Sequence, residues 1–350
     1  MFARSSAWLC LASLLACERT PDALPLQDGP SWQSRSGIVA VDIASDGKTL
    51  LLGEELSEST LWYAPWKRSS TLARVPGTLR LARFIEGGRL ILATGEGGVG
   101  IFAADGGKEL QREQLSLERV SSNARASDAG RFVAFDDAIY DLTARRWIAH
   151  PDRPAGQSAL GFVGERAAWM AGIYDARVQV IGLSGEQPRS WKAPDKVMGA
   201  AVSGDSRYVA AGTTDGVVVW AMAGTEPLCT RSAGDRVALL RFSASGEWLA
   251  FTSGATLTLM KTADCSKQSA LTLHKPAGAL DIDGEFVALG DTGGYVYVWD
   301  HEHNTLLAAS RSMPDAVQAV RLNATTGAVL AVSTQSNGST TKYLTFRAQR

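Results

Sequence analysis

Along this chain, short apolar runs alternate with turns built from Gly, Asp and Ser. The clearest unit spans residues 197–223. Residues 200–202 are apolar, 203–207 form a polar turn, 208–211 are a second run of strand formers, 213–216 a second turn, and 217–220 a third run ending in Trp220. Three short strands joined by Gly/Asp turns predict a β-meander. The runs are continuous rather than alternating, so the strands are expected to be buried on both faces.

The first turn recurs through the whole chain. The residues that open the second run of each unit are Lys48, Arg89, Arg131, Arg166, Arg207, Glu247, Glu285 and Ala328, at spacings of 41, 42, 35, 41, 40, 38 and 43 residues. Such a period, with several short strands per unit, marks a β-propeller. The expected fold is all-β, a ring of four-stranded antiparallel blades, eight in number, with a seven-bladed ring and a terminal extension as the alternative. Unit 8 contains only three strands, so residues 31–37, ahead of unit 1, are expected to supply its outer strand and close the ring. A ring closed by its own ends leaves no free sheet edge.

These units resemble WD40 repeats. Trp299-Asp300 closes unit 7 as the Trp-Asp dipeptide, Tyr140-Asp141 and Trp220-Ala221 occupy the same place, His274 stands where the family's histidine falls, and Ser-Asp-Gly-Lys at 45–48 matches the family's first turn. The resemblance covers residues 31–350. Gly293 falls where the family's buried turn aspartate belongs, so the His–Ser–Asp–Trp tetrad of the family is expected to be incomplete. Trp62, Trp220 and Trp299 share a third-strand position and are expected to pack blades. Trp66, Trp147 and Trp191, in or beside outer strands, are expected at the rim, either as caps or as partner surface.

The amino terminus adds an address. Arg4 precedes an apolar run at 7–15, too short to span a bilayer but suited to the core of a secretory signal. Leu14-Leu15-Ala16-Cys17 follows and resembles a bacterial lipobox, in which cleavage leaves Cys17 as a diacylated terminus; the alternative is an ordinary signal and a free buried Cys. Glu18 after the cysteine resembles release to the outer membrane of a Gram-negative cell. The expected organisation is a signal peptide over 1–16, lipidated Cys17 with a flexible tether to residue 30, and a propeller over 31–350. Its expected place is the bacterial cell envelope, facing the periplasm or the surface, held to the membrane by lipid alone. With 35 Lys and Arg against 36 Asp and Glu, nothing in the charge balance suggests nucleic acid as a partner.

Of four cysteines, Cys10 leaves with the signal and Cys17 carries lipid. Cys229 and Cys265 remain as an even pair in an oxidising compartment. They are either bonded across neighbouring blades or two separate apolar fillers.

One end of the disc collects the turns between second and third strands together with the connections between units. The turns carry Glu54, Glu55, Glu58, Glu96, Asp136, Asp137, Asp175, Asp215 and Asp291, with no Lys or Arg. The connections carry Arg119, Arg153, Lys196, Arg236 and Lys275. These five cations are the candidate partner-binding residues, a curved row inside an acidic outer ring that suits an acidic protein or peptide. The blander reading is solvated turn charges that pair with one another.

Catalytic signals are weak. There is no Gly-x-Ser-x-Gly elbow, Walker loop or Cys-x-x-Cys pair, and His301-Glu302-His303 lacks a fourth metal ligand at a recognisable spacing. The first strands offer Asp42, Asn123 and Asp281 and otherwise read as mostly apolar. A noncatalytic binding platform without a cofactor is therefore the first expectation. A propeller hydrolase or lactonase with a metal at the channel mouth is the second, and a structural subunit of an outer-membrane assembly the third.

Overall fold

The computed structural model describes residues 23–55, 58–63, 67–75, 77–105, 107–115, 124–135, 138–148, 156–335 and 338–346. They form eight four-stranded antiparallel sheets. The innermost strands are Ile38–Ile43, Leu79–Ile85, Arg125–Ala126, Gln157–Val163, Gly199–Val202, Leu239–Phe242, Ala277–Asp283 and Val317–Asn323, one for each repeat. We number blades 1 to 8 in that order. In blades 1 to 7 the strands run outward in chain order; blade 8 is built from both ends of the chain, with Gln27–Ser34 outermost and paired to Gly338–Thr345.

Each sheet is pressed between two others, which is why its second strand is apolar on both faces. Leu50 and Leu52 meet Leu330 and Val332 of blade 8, while Leu51 between them turns to Leu79 and Ile91 of blade 2. The same division places Ala250 and Leu259 against Leu280 and Val287, between blades 6 and 7. The core is thus a set of inter-blade seams. Outer strands such as Glu109–Gln114 and Pro227–Ser232 meet water and are correspondingly polar. Glycines at the ends of second strands admit the next connection: a Cβ on Gly212 would lie 2.1 Å from the Val237 carbonyl oxygen, and one on Gly290 2.2 Å from a Val317 methyl.

The closing strand begins earlier than the sequence suggests. It opens at Gln27 rather than residue 31, with a register shift between Asp28 and Ser31 where Gly29 and Pro30 interrupt the ladder. Leu24 ahead of it bridges in parallel to Ala308 on the outer strand of blade 7, donating to the Leu307 carbonyl at 3.1 Å. Leu26 is 6% exposed and joins the core seam of blades 7 and 8. Residues 24–30 therefore belong to the propeller and not to the tether expected over 17–30, because the Leu24 backbone pairs with blade 7 while its side chain stays half exposed, and Leu26 has apolar surface that the seam buries. Cys17 and residues 18–22 lie outside the described residues.

Cys229, on the outer strand of blade 5, and Cys265, in the turn before the outer strand of blade 6, form a disulfide with their Cα atoms 6.0 Å apart. The cross-link ties neighbouring blades where their outer strands diverge. The Trp-Asp positions also have a local physical role. Asp300 accepts the N–H groups of Glu302 and His303 at 3.0 Å, and Asp141 those of Thr143 and Ala144 at 2.9 Å, so each aspartate fixes the turn that follows its third strand.

Candidate functional site

The two ends of the disc differ in how their charges are used. At the end formed by the first turns of the blades, side chains bond from blade to blade. Asn323 donates to the Ala44 carbonyl at 3.3 Å, Ser45 to that of Gly87 at 2.7 Å, and Arg83 to Asp128 at 3.4 Å. Ser127 donates to Glu165 at 2.8 Å, Arg166 to Ser206 at 3.0 Å, Arg207 to the Ser245 carbonyl at 3.0 Å, and the Ala324 N–H to Asp283 at 2.8 Å. Only the seam between blades 6 and 7 lacks such a bond among the described residues, and there Trp248 packs on the His301 ring. Arginines at this end are also paired: Arg89 with Glu86 at 3.1 Å, Arg131 with Asp141 at 2.8 Å, and Arg207 with Asp205. His301 and His303 turn to separate partners, His301 Nε2 to the Gly284 carbonyl and His303 Nδ1 to Asp300, so they do not converge on a metal.

The opposite end carries the candidate partner residues. Arg119 and Arg153 lie outside the described residues. Lys196, Arg236 and Lys275 are exposed, and none forms an ion pair among the described residues. Asp195 and Asp235 beside them accept the backbone N–H groups of Lys196 and Arg236, at 2.6 and 2.7 Å, instead of pairing with the side chains. Strand pairing sets Lys196 and Arg236 at equivalent places, one residue before the buried Val197 and Val237. Lys275 instead takes the place of Asp195 and Asp235. Tyr174, 80% exposed in the blade 4 turn, stands at the same end, a feature the sequence reading passed over.

The acidic outer ring is less uniform than expected. Glu96 pairs with Arg80 at 2.7 Å and Asp175 with Arg177 at 3.1 Å. Asp291 is fully buried. It accepts the N–H groups of Gly293 and Tyr295 on one oxygen and of Lys275 on the other, and that second oxygen also takes the Tyr297 hydroxyl at 2.8 Å. Since the hydroxyl is spent on Asp291, His274 Nδ1, 2.8 Å away, must carry the hydrogen that Tyr297 accepts. Burial raises the phenol pKa; the His274 backbone N–H, which donates to the phenol oxygen at 2.9 Å, opposes that and Asp291 adds to it. The tetrad that Gly293 interrupts is thus replaced by a His274–Tyr297–Asp291 chain, with the aspartate two residues earlier. Of the rim tryptophans, Trp66 lies outside the described residues and the other two serve as caps: Trp191 is buried and donates to the Gly224 carbonyl at 2.7 Å, and Trp147 packs edge-on against Tyr140.

The inner strands are more charged than the sequence reading allowed. Strand pairing places Asp42, Arg83, Arg125, Gly161, Ala201, Arg241, Asp281 and Arg321 at one equivalent position, blade by blade. Asp42 accepts the N–H of Phe84 in blade 2 at 2.8 Å, and Asp281 that of Leu322 in blade 8 at 2.9 Å, the same bond in two blades. Burial raises the pKa of both carboxyls against the lowering pull of Arg321 and their other basic and N–H neighbours. With Arg321 in the blade between them, and their oxygens engaged by backbone N–H groups, these carboxylates do not form a cation site. That weighs against a metal at the mouth; Asn123, the third polar group of that reading, lies outside the described residues. The four arginines were legible from the repeat, because they sit on the same 40-residue spacing as Asp281.

No family model matches the sequence, and no curated protein is similar to it. Solved structures do share the fold. The C-terminal WD40 domain of Sif2 superposes with a TM-score of 0.75 at 12% identity, covering 93% of this chain and 99% of that one. The crystal structure of the computationally designed Ika8 protein gives 0.71 at 16% identity, covering 90% and 98%. The chain is a β-propeller similar in fold to a WD40 domain.

Proposed function

We propose that this protein is a noncatalytic binding platform, lipid-anchored through Cys17 at a bacterial envelope, which captures an acidic segment of a protein partner on the end formed by its inter-blade connections. The observation that carries this reading is the arc of Tyr174, Lys196, Arg236 and Lys275 over consecutive blades, all exposed. Tyrosines and arginines are frequent binding anchors, and a curved row of cations suits an extended acidic chain. The likeness to a WD40 domain agrees with such a role by analogy of fold. The lipid anchor rests on the Leu14-Leu15-Ala16-Cys17 signal.

Capture from detergent-solubilised envelopes tests the face. Lys196→Glu with Arg236→Glu is expected to lose the partner that the wild type retains, while Lys48→Glu with Lys108→Glu, on exposed residues of the opposite end, keeps it. The reverse result would move the working face to the other end. Labelled fatty acid entering the wild type but not Cys17→Ser tests the anchor.

A further inference from the structure

The inner strands bring four guanidiniums to one level of the channel, against only two carboxylates. They are not equally committed. Arg83 is spent on the Ala126 carbonyl and Asp128. Arg241 and Arg321, either side of Asp281, each donate one N–H to the carbonyl of the preceding residue, Leu240 or Val320, at 3.0 Å. Neither forms an ion pair among the described residues. A guanidinium has five N–H groups in a planar fork, so both keep most of their donors.

Their surroundings are those of a shaft. Both side chains present exposed surface, yet lie on the innermost strands between residues buried in the seams, Leu240 and Phe242 for one and Val320 and Leu322 for the other. The protein around Arg241 desolvates it and lowers its pKa, with Asp281 opposing and the like charge of Arg321 adding to the shift. Two cations that repel each other across a single carboxylate are held there only because the fold imposes it. Asp281 takes the Leu322 N–H and, among the described residues, forms an ion pair with neither guanidinium.

We infer that the channel at Arg241 and Arg321 is a binding site for a small oxyanion carrying two or more negative charges, of the polyphosphate or polycarboxylate class. Planar forks favour paired oxygens over a spherical halide, and poor local hydration strengthens each charge-assisted bond. Two guanidiniums in alternate blades select an anion with charge on more than one group. On the far side of the ring, Gly161 and Ala201 bring no charge to this level. This site is separate from the arc of exposed cations, and neither depends on the other.

Equilibrium dialysis of the full-length protein against labelled pyrophosphate, and separately against citrate, tests it at constant ionic strength in chloride. Saturable binding of either probe is expected; which binds tighter tells a phosphate source from a carboxylate one. Arg241→Gln and Arg321→Gln should each weaken binding about tenfold or more, the scale of a lost charge-assisted hydrogen bond. Asp281→Asn should tighten it, because it removes the competing negative charge while its amide oxygen can still accept the Leu322 N–H. That variant keeps the proposal testable if the arginine variants fold poorly. No saturable binding of either probe, binding unchanged in both arginine variants, or binding of hexaglutamate peptide without either small anion would overturn it.

Discussion

The two ends of this propeller are made from the same kinds of turn and use their charges in opposite ways. At the first-turn end, polar and charged side chains bond from blade to blade through seven of the eight seams, and a disulfide reinforces blades 5 and 6 close by. At the other end, Lys196, Arg236 and Lys275 are left in water while neighbouring aspartates bind backbone N–H groups. One end holds the ring together. The other leaves Lys196, Arg236 and Lys275 without ion pairs among the described residues, as the proposed recognition face requires.

The largest expected effects come from breaking what is locked. The disulfide spans 36 residues, for which loop-closure entropy gives about 3–4 kcal/mol. Reduction, or Cys229→Ser with Cys265→Ser, should lower the melting temperature by several degrees; equal melting with and without reductant would remove the cross-link from the account. Asp291→Ala is the corresponding break at the open end. It strands three N–H groups and the Tyr297 hydroxyl and should cost about 3 kcal/mol by chemical denaturation. Asp215→Ala, in the equivalent turn of blade 5, removes only one long bond from Ser232 and should cost far less.

Acid sharpens the contrast, because the carboxylates differ in sign. The Asp141 carboxyl is desolvated, but Arg131 and the N–H groups of Ala144 and Thr143 outweigh that and lower its pKa. Its stabilisation is present above the unfolded carboxylate pKa and is lost as pH falls through the lowered value. Asp42 and Asp281 are raised, chiefly by burial, so their contribution is greatest below the unfolded pKa and is lost as pH climbs through the raised values. Asp141→Asn should therefore destabilise at pH 7 and converge with wild type in acid. Asp281→Asn should stabilise at pH 7, by about 1–2 °C in melting temperature, and lose that advantage in acid. Parallel curves for the two variants would refute the assignment of signs.

What the sequence showed and hid follows from period and position. The repeat revealed the blades because turns and apolar runs recur whatever the partner. The closing strand was read from residue 31 instead of 27 because Gly29 and Pro30 look like a linker, although Leu24 and Leu26 alternate across Pro25. The channel arginines are marked by no local motif, and only their shared repeat position with Asp42 and Asp281 sets them on one level of the inner strands. The Asp291 network was hidden for another reason. Gly293 empties the family's aspartate position, and only coordinates show that an aspartate two residues earlier reaches the same turn through a tyrosine.

The smallest expected effect is the one that best separates structure from recognition. Exposed charges without partners contribute little to folding, so Lys196→Glu with Arg236→Glu should change unfolding free energy by about 0.5 kcal/mol or less. Arg131→Glu, a single change at the locked end, places a second carboxylate against the buried Asp141 and should lower the melting temperature clearly more than the double reversal does. Thermal scans in low and high salt check this: the Arg131 variant should recover part of its loss in salt, while the double variant barely responds. A double variant that melts well below wild type would mean that those cations have structural partners, and the open end would then be another locked one.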